Sequence, residues 1–179
     1  ELSDSELLIL DKIKITTNKK DISDSDVYII TVPTPVDINN KPNLTPIISA
    51  SEIVGSLLKK NNLVIYESTV FPGCTEEICV PILEKHSSLK YNSEFFCGYS
   101  PERINPGDKK NNITSIKKII SASNKKSLKV MKKIYGSFVK PGLFVADSIE
   151  IAEAAKVIEN TQRDVNIALI NEFAKIFER

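Results

Sequence analysis

Apolar and polar positions along the chain fall into blocks, and the period changes from block to block. Val27-Tyr28-Ile29-Ile30-Thr31-Val32 is a β-rich apolar run closed by Pro33, the pattern of a strand buried on both faces. Leu63-Val64-Ile65-Tyr66, Phe95-Phe96-Cys97-Gly98-Tyr99, Lys118-Ile119-Ile120-Ser121 and Leu143-Phe144-Val145 are shorter runs of the same kind. Between them the apolar spacing becomes helical. Ile47 to Leu58 predicts a helix opened by Thr45 as N-cap and Pro46 in its first turn. Thr75 to Glu84 predicts another, with Thr75 as N-cap and Glu76 and Glu77 in the electropositive first turn. Lys125 to Ser137 predicts a basic amphipathic helix. Leu7 to Lys14 reads as the end of a further helix, feeding Lys14-Ile15-Thr16-Thr17.

Strand–helix alternation predicts an α/β fold, a doubly wound, mostly parallel sheet with helices on both faces. The last segment differs. Ser148 to Phe177 contains no Pro or Gly, and as a helix at 1.5 Å per residue it would reach about 45 Å. A helix that long overhangs a domain of this size, so it reads as a spacer or an oligomer interface. The boundary falls near Asp147, dividing 1–147 from 148–179. An apolar stripe at Ile151, Ala155, Ile158, Val165, Leu169, Phe173 and Ile176 would supply a contact face. Asp37 to Asn43 and Gly107 to Asn112 read as polar loops.

Composition narrows the partners. With 24 Lys+Arg against 23 Asp+Glu, the net charge is +1, which argues against a general nucleic-acid binder. No apolar run reaches the roughly 18 residues of a membrane span, and the polar start Glu1-Leu2-Ser3-Asp4 carries no signal-peptide pattern. Three cysteines, Cys74, Cys79 and Cys97, suit a reducing compartment. With one histidine, His86, they make a poor zinc site, so no metal is expected. Six glycines include neither a dinucleotide fingerprint nor a P-loop.

Ligands of doubly wound sheets bind beyond the carboxyl ends of the strands, and three strand ends here carry unusual sequence. Val32-Pro33-Thr34-Pro35 is a rigid corner poor in N–H groups; it reads as a proline-stiffened turn or as a wall against a flat ligand, with Thr34 offering a hydroxyl. Glu67-Ser68-Thr69-Val70-Phe71-Pro72-Gly73 places Ser68 and Thr69 past the second strand, as caps or as ligand donors. Ser100-Pro101-Glu102-Arg103-Ile104-Asn105-Pro106-Gly107 holds an acid and a base between prolines, a surface ion pair or a site. On the long helix, Lys156, Asn160 and Arg163 share one stripe. That is a solvated face, with Glu153, Glu159 and Asp164 close by, or a ledge for an anionic, polyhydroxyl ligand.

Taken together and in order, these segments resemble the UDP-glucose/GDP-mannose dehydrogenase family. The matching residues are Val32 to Asp37, Glu67 to Gly73, Tyr99 to Asp108, Ala152 to Lys156 and Glu159 to Ala168. The wording is most similar to the branch acting on UDP-N-acetylhexosamines, of the Vi-antigen type. The resemblance implies a Rossmann-like domain lacking its first βαβ unit, then the start of a central dimerisation helix. The family's glycine-rich phosphate turn, catalytic cysteine and C-terminal UDP-binding domain have no counterpart in this chain, which therefore reads as an internal fragment, inactive when isolated.

By resemblance, the activity is NAD-dependent oxidation of the C6 alcohol of a UDP-N-acetylhexosamine to the uronic acid, in the bacterial cytoplasm and for surface polysaccharide synthesis. Pro33, Thr34 and Thr69 would contact NAD. Arg103, Ile104, Lys156, Asn160 and Arg163 would bind the UDP-sugar. Lys156, Asn160, Glu102 and Thr69 would act in catalysis, and a homodimer would form through the long helix. UDP-glucose enzymes of the family usually carry a second glutamate where Pro106 stands, which leaves the general base open. UDP-glucose or UDP-N-acetylmannosamine as substrate, and a non-catalytic dimerisation module, stand as alternatives.

Overall fold

The computed structural model describes residues 13–104 and 112–178. Strands β1 (Val27–Ile30), β2 (Leu63–Tyr66), β3 (Phe96–Tyr99), β4 (Lys118–Ala122) and β5 (Leu143–Val145) form one sheet in the order β1-β2-β3-β4-β5. β1, β2 and β3 are mutually parallel, β4 runs antiparallel to β3, and β5 is parallel to β4. The sheet is thus mostly parallel, as the alternation predicts. The single reversal follows from the β3–β4 connection: no helix forms between Tyr99 and Lys118 among the described residues, and a parallel return requires a crossover element.

Every residue of β2 is buried. Val64 and Tyr66 face one layer, built from α1 (Thr45–Gly55), a π-helical turn (Thr75–Cys79), α2 (Val80–Ser87) and the start of α4 (Ile149–Phe177). Leu63 and Ile65 face α3 (Lys125–Gly136), whose Met131 and Tyr135 complete the second layer. Two-sided burial explains the continuous apolar runs of β2 and β3, whereas β1 and β5 at the sheet ends leave Ile29 and Phe144 exposed, so the run from Val27 is not buried on both faces as expected. Gly98 permits the closest approach, since a Cβ there would lie 2.4 Å from Met131 Sδ.

Several boundaries differ from the sequence expectation. α1 begins at Thr45 and ends at Gly55, with Leu44 at the N-cap position. The capping acceptor is Asn43, whose Oδ1 takes the Thr45 N–H at 2.9 Å. Thr75 is not an N-cap either, because Cys74 before it already has helical dihedrals. Asn124 and Ser148 are the side chains that cap the next two long helices, accepting from the N–H groups of Ser127 and Ile151. Lys14 to Thr17 forms no strand. The expected helix end from Leu7, and the motif residues Asn105, Pro106, Gly107 and Asp108, lie outside the described residues or extend beyond them.

Candidate active site

Because β1, β2 and β3 are parallel, their carboxyl ends gather on one edge, and bonds between the connections fix them there. Ser68 Oγ donates to the Val32 carbonyl at 2.7 Å, and Tyr99 Oη donates to the Ser68 carbonyl at 3.1 Å. Of the two hydroxyls after β2, Ser68 is therefore buried and committed to the backbone, whereas Thr69 is exposed.

Two clefts of about 310 Å³ each meet at this edge. One runs between Thr31–Thr34 and Glu67–Thr69 and is closed by Glu102. The other is apolar, passing Thr34, Val36, Thr69 and Phe71 to reach Val157 on α4. Thr34 and Thr69 line both. Among the described residues, Thr34 Oγ1 is the buried side-chain polar atom with no hydrogen-bond partner. Buried hydroxyls are normally satisfied, so this orphan beside the prolines fits a group that accepts or donates from the cleft.

Glu102 and Arg103 do not pair with each other. Glu102 Oε1 accepts the N–H groups of Arg103 at 2.6 Å and Ile104 at 2.7 Å. Arg103 instead reaches α4: Nε and Nη2 donate to Glu159 at 3.3 Å and 3.0 Å, and Nη1 donates to the Lys117 carbonyl at 2.9 Å. Arg163 approaches the same carboxylate at 3.6 Å. The Arg103 guanidinium holds the Glu159 carboxyl below its usual range. Ile104 lines a narrow crevice with Ile113 and Ile116.

Lys156 sits one turn before Glu159, half-buried, with no ion-pair or hydrogen-bond partner among the described residues. Burial lowers its pKa, opposed by the carboxylates of Glu159 and Glu102 and reinforced by Arg163 and Arg103. An unpaired ammonium facing this charge set is available to an anionic or charge-developing group. Asn160 is exposed and lines neither cleft.

Beneath the first cleft lies a buried polar set that pattern reading missed. Tyr135 Oη donates to Glu67 Oε1, Lys118 Nζ lies 3.6 Å from Glu67 Oε2, and the same ammonium sits 5.3 Å from the centre of the Tyr135 ring. Glu153 is also fully buried rather than on a solvated face. Its one sequence signal is position: Ile149, Ala152 and Glu153 follow the i, i+3, i+4 spacing of the packed face. Burial raises the Glu153 pKa against its own hydrogen bonds. The three cysteines are buried and unpaired, and no cluster among the described residues could hold a metal ion. No helix among them is long and apolar enough to cross a membrane.

The chain is 53% identical over all its 179 residues to a UDP-N-acetyl-D-glucosamine 6-dehydrogenase of Pseudomonas aeruginosa, covering 42% of that protein. It is 52% identical to the protein of the same name from Salmonella typhi, again covering 42%. The structure of a UDP-D-ManNAc dehydrogenase from Pyrococcus horikoshii superposes with a TM-score of 0.86 at 37% identity, over 96% of this chain and 40% of that one. The chain thus spans about two fifths of the length of these relatives. Residues 6–139 match the NAD binding domain of the UDP-glucose/GDP-mannose dehydrogenase family, and residues 150–179 match its central domain. With both matches in chain order and the first covering most of the chain, the chain belongs to the UDP-glucose/GDP-mannose dehydrogenase family.

Proposed function

We propose that the natural-length protein carrying this chain oxidises the C6 alcohol of a UDP-N-acetylhexosamine to the uronic acid with NAD, for surface polysaccharide synthesis in the bacterial cytoplasm. The observation that carries the reading is that Thr34 and Thr69 line both clefts and that the apolar one reaches Val157 on α4, next in sequence to the unpaired Lys156. Pro33, Thr34 and Thr69 hold NAD, which when bound accepts hydride from the sugar. Arg103, Ile104, Asn160 and Arg163 hold the UDP-sugar. Lys156 and Asn160 donate to the oxygen on which charge develops as C6 is oxidised. Glu102, oriented through Oε1 and with Oε2 uncommitted among the described residues, moves a proton or orders water.

UDP-N-acetylglucosamine is the favoured substrate, because the relatives of that name are 53% and 52% identical while UDP-N-acetyl-D-mannosamine dehydrogenases reach 41%. Residues 1–147 serve the cofactor and 148–179 open the central domain. Ile158, Val165, Leu169 and Ile176 are each more than half exposed on α4, and a second copy would cover them in a homodimer. The test is product analysis: the natural-length protein is incubated with NAD and UDP-N-acetylglucosamine, and mass spectrometry should show the uronate. A uronate formed only from UDP-glucose or UDP-N-acetylmannosamine would redirect the substrate assignment, and none from any sugar would refute the reading.

A further inference from the structure

We propose that Glu153 is a positioning residue of this site: its carboxylate sets the separation between the loop carrying Thr69 and the helix carrying Lys156. Three bonds make the link. Oε2 accepts the Gly73 N–H at 2.6 Å, and Oε1 accepts both the Thr75 N–H at 2.9 Å and the Thr75 hydroxyl at 2.6 Å. The partners lie 78 and 80 residues away in sequence. On the helix side, Glu153 stands three residues before Lys156, so the two share adjacent turns. On the loop side, the clamped backbone begins four residues after Thr69. Gly73 itself sits at φ +91°, where a side chain is strained, and a Cβ there would lie 3.1 Å from Glu77. The loop is thus shaped to present its N–H groups to this carboxylate. The apolar cleft has Thr69, Val70 and Phe71 on one wall and Val157 on the other, so the clamp spans the very gap that the cleft occupies.

The chemistry asks for a carboxylate. Two oxygens without protons accept three donors, whereas the amide of a glutamine offers one acceptor and turns an N–H₂ toward another donor. The neutral isostere therefore loosens the clamp without changing its volume. Displacements of about 1 Å at catalytic groups cost on the order of a hundredfold in rate, which gives the clamp a catalytic consequence beyond stability.

The inference rests on the proposed activity, and the test separates the two. In the natural-length protein, the pH dependence of Lys156 acetylation is followed by mass spectrometry, with exposed Lys129 as internal reference. In Glu153→Gln, the Lys156 midpoint should rise, because the loosened helix returns the ammonium to water. The turnover number should fall at least about tenfold while the KM for the sugar nucleotide moves less than about threefold. Met131→Ala, a destabilising change on the other sheet face, should lower the melting temperature and leave the Lys156 midpoint in place. Thr75→Val removes one of the three donors and should give a smaller shift in the same direction; it carries the test if Glu153→Gln does not fold. An unchanged Lys156 midpoint and turnover in the folded variants would overturn the proposal. If the wild-type protein oxidises no sugar nucleotide, the functional reading falls and the labelling midpoint still decides the role of Glu153.

Discussion

Arg103 and Glu159 form a two-pronged ion pair across 56 residues of sequence, joining the loop after β3 to the long helix α4. Arg163 adds a weaker contact to the same carboxylate at 3.6 Å. The pair makes Glu159 a competitor for Arg103 and Arg163, the two cations proposed above to hold the sugar nucleotide. Arg103→Ala should mainly weaken substrate binding, raising KM while the turnover number at saturation stays within a few-fold. Steady-state kinetics over a range of UDP-sugar concentrations checks this, and a rate loss with unchanged affinity would contradict it.

The same pair fixes a pH dependence. Glu159 titrates below its usual 4.5 in the folded chain. A carboxyl with a depressed folded pKa contributes stability above the unfolded value, and that contribution is lost as the pH falls through the folded one. Glu159→Gln should therefore be less stable than wild type near neutral pH, by about 1 kcal/mol for a partly buried, bidentate pair. The difference should vanish as the pH drops below 4.5. Denaturant unfolding at several pH values measures it.

Thr34→Val separates binding from folding. The Thr34 hydroxyl has no partner to lose, so the isosteric valine should leave the melting temperature unchanged or slightly higher. If the hydroxyl meets the cofactor, NAD affinity should fall about five- to tenfold, the worth of roughly 1 kcal/mol for one hydrogen bond. Calorimetric titration with NAD gives the answer, and equal affinity in the variant would remove Thr34 from the site.

Gly98→Ala tests the core beneath the site. The new methyl would stand 2.4 Å from Met131 Sδ and 3.1 Å from the Ser121 carbonyl. The methionine end can move and the strand cannot, so a cost of about 1–3 kcal/mol is expected. Shortening the neighbour in Gly98→Ala/Met131→Ala should recover part of it, seen as a favourable coupling in a double-mutant cycle.

The central strands were legible because burial on both faces leaves little room for polar residues, as Leu63-Val64-Ile65-Tyr66 shows. The strand-end motifs were legible because prolines and hydroxyls interrupt such runs at one edge. What local pattern could not show is pairing at long range. Thr75 looks like an N-cap in sequence, yet its N–H and hydroxyl go to Glu153, 78 residues away. Glu102 and Arg103 look like a neighbouring ion pair, yet one serves its own loop backbone and the other serves α4. Lys118 opens a β-branched run, and only the folded chain brings it to Glu67 and Tyr135. A buried charge is stable only with its partner in place, and the partner is set by topology rather than by spacing.

The most direct test of the account is the rate of NADH formation from UDP-N-acetylglucosamine by the natural-length protein and its Lys156→Ala variant, measured side by side. The wild type should form two NADH per sugar oxidised, and the variant should be slower by orders of magnitude, because a donor to the developing charge is removed. A wild type that forms no NADH, or a variant that keeps the wild-type rate, would contradict it.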